Sequence, residues 1–247
     1  QGIYQDDGIS STILASSLWL REGFPYQQDT LDRLAQDYYA STYEGEMGSE
    51  EYNQLLRDWI NEQTGGLLKN QTESIKLEPI DLLALVTTLY YQSGWEEEFS
   101  PEATVPEIFH SPTGDQEVDF LSKQEVLMYY QGENFGVVEK SLVSGDEMWL
   151  ILPDEGVTPE QLMQEGQVTD LLLPAAAREG WASFTVNLAL PKFDISSRMD
   201  LREGLIDLGI TDVMDPEVSD FTPMTTATKD VRLTQAEHSV RVTVDEG

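Results

Sequence analysis

The sequence predicts an α+β fold with mixed, mainly antiparallel sheets and surrounding helices. Three observations carry this. Helical and strand patterns follow one another irregularly, without βα alternation, which argues against a doubly wound sheet. Several segments alternate apolar and polar residues with period two, as half-buried strands do. Others repeat apolar residues at helical spacing and carry start and stop signals. No fixed-period repeat and no Pro/Ser/Gly-rich linker interrupts the 247 residues, so one domain over residues 1–247 is expected.

The elements follow in order. Ile13 to Leu20 reads as a strand. Asp29 to Tyr43 reads as a helix, because Leu31, Leu34, Ala35 and Tyr38 fall on one helical face. A second helix runs from about Ser49 to Gln63. Ser49 suits the N-cap, Glu50 and Glu51 suit the positive end of the dipole, and Gly65-Gly66 end it. Its apolar stripe is Tyr52, Leu55, Leu56, Trp59 and Ile60. Leu82 to Tyr91 is so uniformly apolar that it reads as a strand buried on both faces, or as a short buried helix. Val126 to Gln131, Gly136 to Lys140 and Met148 to Leu152 read as further strands. Thr158-Pro159-Glu160-Gln161 has the cap, the proline and the third-position glutamine of a helix start. Phe184, Val186, Leu188 and Leu190 alternate along a strand ending at Pro191. Asp200 to Leu208 is a short helix closed by Gly209. His238, Val240, Val242 and Val244 share one face of a last strand.

Charge and composition exclude several function classes. Fourteen Lys and Arg stand against 46 Asp and Glu, a formal net charge of −32. Scattered cations in such a background do not make a nucleic-acid surface or an anionic-membrane surface. The absence of Cys removes disulfides, thiol catalysis and Cys-ligated metal. The longest apolar run is far too short to span a bilayer, and no leader pattern is visible. A chain beginning at Gln1 reads as a processed product or a fragment.

Catalytic motifs are missing. There is no G-x-S-x-G elbow, phosphate loop, dinucleotide fingerprint or H-E-x-x-H. The two histidines, His110 and His238, lie in different segments, and neither has a local triad signature. No catalytic residue, metal ligand or cofactor is assigned, and an unrelated acidic hydrolase is disfavoured. Glu96-Glu97-Glu98 reads as a solvated acidic turn. Asn70-Gln71-Thr72 matches a glycosylation sequon. His238 is expected to be a hydrogen-bonded core histidine, and Trp59 and Trp95 core anchors.

Five segments together resemble the serpin family, in the family's order along nearly the whole chain. Leu83 to Tyr91, followed by Trp95 and Phe99, is similar to the third strand of the serpin main sheet and the turn after it. Trp59-Ile60-Asn61-Glu62-Gln63-Thr64-Gly65-Gly66-Leu67-Leu68 resembles the W-V-x-x-x-T-x-G-x-I helix end. Leu190-Pro191-Lys192-Phe193 matches L-P-K-F. Asp200-Leu201, Leu205, Leu208-Gly209-Ile210-Thr211 and Asp220-Phe221 keep the D-L…L…L-G-I-x…D-F spacing. His238 to Gly247 resembles the strand leading into the reactive-loop hinge.

The resemblance implies three sheets with helices around them and a one-use trap for a serine protease. A cut loop would insert as a new strand into a metastable main sheet. It implies a monomer acting outside the cell, with the protease as its partner. It also implies roles: Glu246 and Gly247 begin the hinge, Trp95 lies where insertion begins, and Ser16, Thr87 and His238 gate the opening sheet. Ser16 and Thr87 stand where the family usually has Asn, and Asp245-Glu246-Gly247 reads one residue short of the usual Glu-Glu-Gly. The chain is expected to lack the N-terminal helices, the reactive loop with its bait residue, and the C-terminal strands. The alternative is a non-inhibitory serpin acting as a binding or carrier protein.

Overall fold

A computed structural model describes residues 4–6, 8–111, 113–166, 168, 171 and 180–247. The chain forms two compact units. The first takes residues 1–92 and 194–242, the second 93–193 and 243–247.

In the first unit, β1 (Tyr4–Asp6), β2 (Ser10–Arg21) and β3 (Ser41–Gly45) lie in that order, and β4 (Leu83–Ser93) also pairs with β2. β1 runs antiparallel to β2, while β3 runs parallel to it from Ser17↔Ser41 to Arg21↔Gly45. Leu18, Trp19 and Leu20 are buried in succession, so this stretch of β2 is covered on both faces. Trp19 stacks on Tyr43 at 4.4 Å and meets Tyr52, Leu56, Trp59 and Ile60 of α2 (Glu50–Gln63). Ser49 caps that helix by accepting from Tyr52 N, and Gly65 and Gly66 take the positive φ that ends it. The Tyr52 hydroxyl donates to Tyr43 O at 2.9 Å, and burial pushes its pKa up to about 12.

The first helix stops sooner than its periodicity predicts. α1 spans Gln28–Asp37. Tyr39 then takes φ 53°, which lets Ala40 N bond back to Leu34 O at 3.1 Å. Residues 41–45 leave the helix because pairing with β2 places Tyr43 on Trp19. Ala35 and Tyr38, read as part of the buried face, are exposed.

The strand reading of 82–91 holds, but its expected burial on both faces does not. β4 alternates: Thr88 is buried, while Leu85 and Leu89 are 60% and 69% exposed. The apolar run supplied material for two faces, and in this chain only one is covered. Also in this unit are the short helix α3 (Lys69–Thr72) and the two-stranded sheet of β10 (Phe193–Asp200) and β11 (Glu237–Val244). These strands each extend one or two residues into the other unit.

The second unit is an antiparallel sheet ordered β5-β6-β7-β8, with β9 on the other side of β6. The strands are β5 (Val105–Ser111), β6 (Gly114–Gln131), β7 (Phe135–Ser141), β8 (Glu147–Pro153) and β9 (Ala182–Pro191). β6 is longer than its predicted core because its first half pairs with β5 and its second with β7 and β9. α4 (Pro159–Glu165) carries the predicted capping box between Thr158 and Gln161. One core gathers Phe135, Val137 and Leu162, and the other Trp95, Phe99, Leu121 and Val244. In the first unit, the short helix predicted before Gly209 is α5 (Arg202–Asp207).

Candidate functional site

The last residues of the chain lie within the second unit. Val244, at the end of β11, is buried against Trp95, Phe99 and Leu121. This fixes where the backbone leaves the strand. The Trp95 indole N–H donates to Asp245 O at 2.8 Å, and Phe99 N donates to Glu246 O at 3.0 Å. Trp95 and Phe99 pack edge to face at 5.6 Å. The Glu246 side chain is held at both oxygens, by Thr104 Oγ1 at 3.1 Å and Lys192 Nζ at 2.7 Å. Lys192 is itself positioned by its backbone N–H, which donates to Asp119 O at 2.8 Å.

The electrostatics are mutual. The Lys192 ammonium holds the Glu246 carboxyl below its ordinary range, and that carboxylate raises the lysine. The result is a short segment, 245–247, gripped through two carbonyls and one carboxylate, with the Gly247 N–H turned back onto Asp245 Oδ1 at 3.3 Å. The arrangement can hold or release a piece of backbone.

Of the residues singled out from sequence, the structure brings Trp95, Glu246 and Gly247 to this one place. Ser16 and Thr87 meet elsewhere, in the first unit, with their hydroxyls 3.4 Å apart across β2 and β4. His238 is not the core histidine expected from its strand pattern. It is exposed, and among the described residues no hydrogen bond joins it to Ser16 or Thr87. The reason is that β11 does not bury its apolar face evenly: Val244 is covered, while Val242 is 40% exposed. His110 pairs with Asp115 at 2.7 Å on the exposed β5–β6 hairpin, with no serine bonded to it among the described residues. The sequence assigned no role to Thr104, to Lys192 or to a fully buried lysine, Lys140, whose ammonium lies over the two rings. Only Lys192 had a signal, its place in the L-P-K-F match.

The family model for serpins (serine protease inhibitors) matches residues 1–247. The chain belongs to the serpin family. Emu (Dromaius novaehollandiae) ovalbumin is 26% identical over 96% of this chain and 62% of its own length. An uncharacterized serpin-like protein of Thermococcus kodakarensis is 24% identical over 79% of the chain and 45% of its own length. Human antithrombin-III is 27% identical over 69% of the chain and 37% of its own length. This serpin chain therefore spans less than two thirds of these curated relatives. The fold agrees: the emu ovalbumin structure superposes with a TM-score of 0.88 at 22% identity, covering 98% of this chain and 63% of that one. Native tengpin, a thermophilic serpin, gives 0.86 at 22% identity, covering 99% and 62%. Among the described residues, no helix is long and apolar enough to cross a membrane.

Proposed function

We propose that the chain is the body of a serine-type endopeptidase inhibitor that works once, as a covalent trap, and not as a catalyst. The observation that supports this reading is the grip on Asp245-Glu246-Gly247. In the trap, a loop beyond the hinge offers its bait bond. The protease serine attacks the bait carbonyl, the amide bond breaks, and the N-terminal half of the loop stays esterified to the protease. The hinge must then let that half swing into the main sheet as a new strand. A hinge held by a few exchangeable hydrogen bonds suits this, because each can break without disturbing the core. Gly247 adds a backbone position of low steric cost.

In this reading the partner is an extracellular serine protease and the inhibitor is a monomer. Trp95 marks where insertion starts, and Ser16, Thr87 and His238 belong to the opening region. A second reading, a non-inhibitory binding or carrier serpin, draws support from the polar contact there, which among the described residues is a 3.4 Å pair of the Ser16 and Thr87 hydroxyls that His238 does not join.

The gene product at full length should be mixed with trypsin-, chymotrypsin-, elastase- and subtilisin-like proteases and run on denaturing gels. The trap predicts a band at the summed mass and a released C-terminal peptide. Cleavage with no such band for any protease would overturn it in favour of the second reading.

A further inference from the structure

Lys140 lies where lysine is seldom found. Its side chain is 1% exposed, and an ammonium taken from water is strongly disfavoured unless its donors are met. They are met by a specific set. Nζ donates to Glu125 Oε1 at 2.7 Å and to Glu97 O at 3.0 Å. It also lies over the rings of Phe99 and Trp95, at 4.8 Å and 5.5 Å from their centroids. Glu125 is itself only 12% exposed. A second lysine, Lys123, donates to Glu98 O at 3.1 Å and to Glu97 Oε2 at 3.3 Å, and lies 4.0 Å from Glu125.

Two ammonium groups thus hold the carbonyls of residues 97 and 98. This short stretch joins Trp95 to Phe99, and those two residues supply the N–H groups that grip Asp245 and Glu246. An apolar side chain of the same length would fill the space under the rings without a charge to desolvate. What it could not do is hold the Glu97 carbonyl.

We propose that Lys140, with Glu125 as its counter-ion, is a positioning residue for the hinge. It fixes 95–99 in the geometry that grips 245–246, and so sets how readily the hinge lets go. The proposal rests on the reading of Glu246-Gly247 as a hinge, but its test needs no protease.

The test compares amide hydrogen exchange at Phe99, whose N–H is bonded to Glu246, with that at buried Val137 in the same unit. It uses the gene product at full length. The Glu125→Gln/Lys140→Met pair removes both charges together, so no carboxylate is left stranded. Phe99 exchange should rise about tenfold, the loss of one charge-assisted hydrogen bond, with Val137 unchanged. Wild-type exchange at Phe99 in the folded variant, or an equal rise at both sites, overturns the proposal. If the double variant does not fold, Glu125→Gln alone keeps Lys140 and its bond to Glu97. It should give a smaller selective rise at Phe99, roughly threefold, and no change there is equally fatal. Failure here leaves the trap reading standing, and a missing covalent band leaves this one standing.

Discussion

Trp95→Phe probes the grip on the C-terminal segment with the smallest change of shape. The indole is 6% exposed. Phe keeps an aromatic ring against Phe99 and Leu121 but has no N–H for Asp245 O. The lost hydrogen bond is worth about 0.5–1.5 kcal/mol net, and exposed Asp245 lets its carbonyl find water instead. The smaller ring gives up roughly 40 Å² of buried apolar surface, or about 1 kcal/mol at ~25 cal/mol/Å². Together these predict a loss of about 2 kcal/mol for the second unit, of which the hydrogen-bond part is local to residues 245–247. Urea unfolding followed by circular dichroism reads the total, and Phe99 amide exchange reads the local part. Leu121→Ala is the control, because it opens a cavity in the same cluster without touching Asp245. It should cost about 3–5 kcal/mol with no selective rise at Phe99. A Trp95→Phe stability change of less than about 0.5 kcal/mol with Phe99 exchange unchanged would refute the grip.

Three further outcomes are expected. The Lys192–Glu246 pair depends on pH from both sides. Glu246 is depressed from its ordinary 4.5, so its contribution is full above that value and fades as pH falls through the lower native one. Lys192 is raised above its ordinary 10.5, so its share is full below that value and is lost as pH rises through the native one. The difference in melting temperature between wild type and Lys192→Met should therefore be greatest between these limits and shrink outside them. A difference independent of pH would remove the pair as its cause. Tyr39→Gly should stabilise the first unit by about 0.5–1 kcal/mol, raising its melting temperature by roughly 1–4 °C, because it relieves a left-handed residue at a helix end. An unchanged or lower melting temperature refutes this. Finally, with a net charge of −32, association with a basic protease should slow steeply as salt is added, while a salt-insensitive rate in stopped flow would discard steering.

Much of the site was legible because the family's motifs mark its ends: Trp95, Lys192 in L-P-K-F, and Glu246-Gly247 after the last strand. What those motifs could not convey is contact. No motif marks Thr104, whose hydroxyl donates to Glu246. Lys140 was legible only as the end of a strand, since nothing nearby in sequence foretells that Glu125 is its counter-ion. His238 misled in the other direction. Its spacing with Val240, Val242 and Val244 shows which residues share a face, but not whether that face is covered.

By itself the sequence determined what neighbours along the chain can settle. Ser49 and Thr158 cap their helices through groups three residues away, and β9 keeps its period because pleating is a property of the strand. The tertiary structure decided the rest. It ended α1 early, because Tyr43 gains a partner in Trp19 that the helix does not offer. It left one face of β4 open, and it assembled the grip on the last residues from groups as far as 150 positions apart. Periodicity and capping are short-range and leave their trace in every window. Burial and long-range hydrogen bonds depend on which surfaces meet, and that is not a property of any one segment.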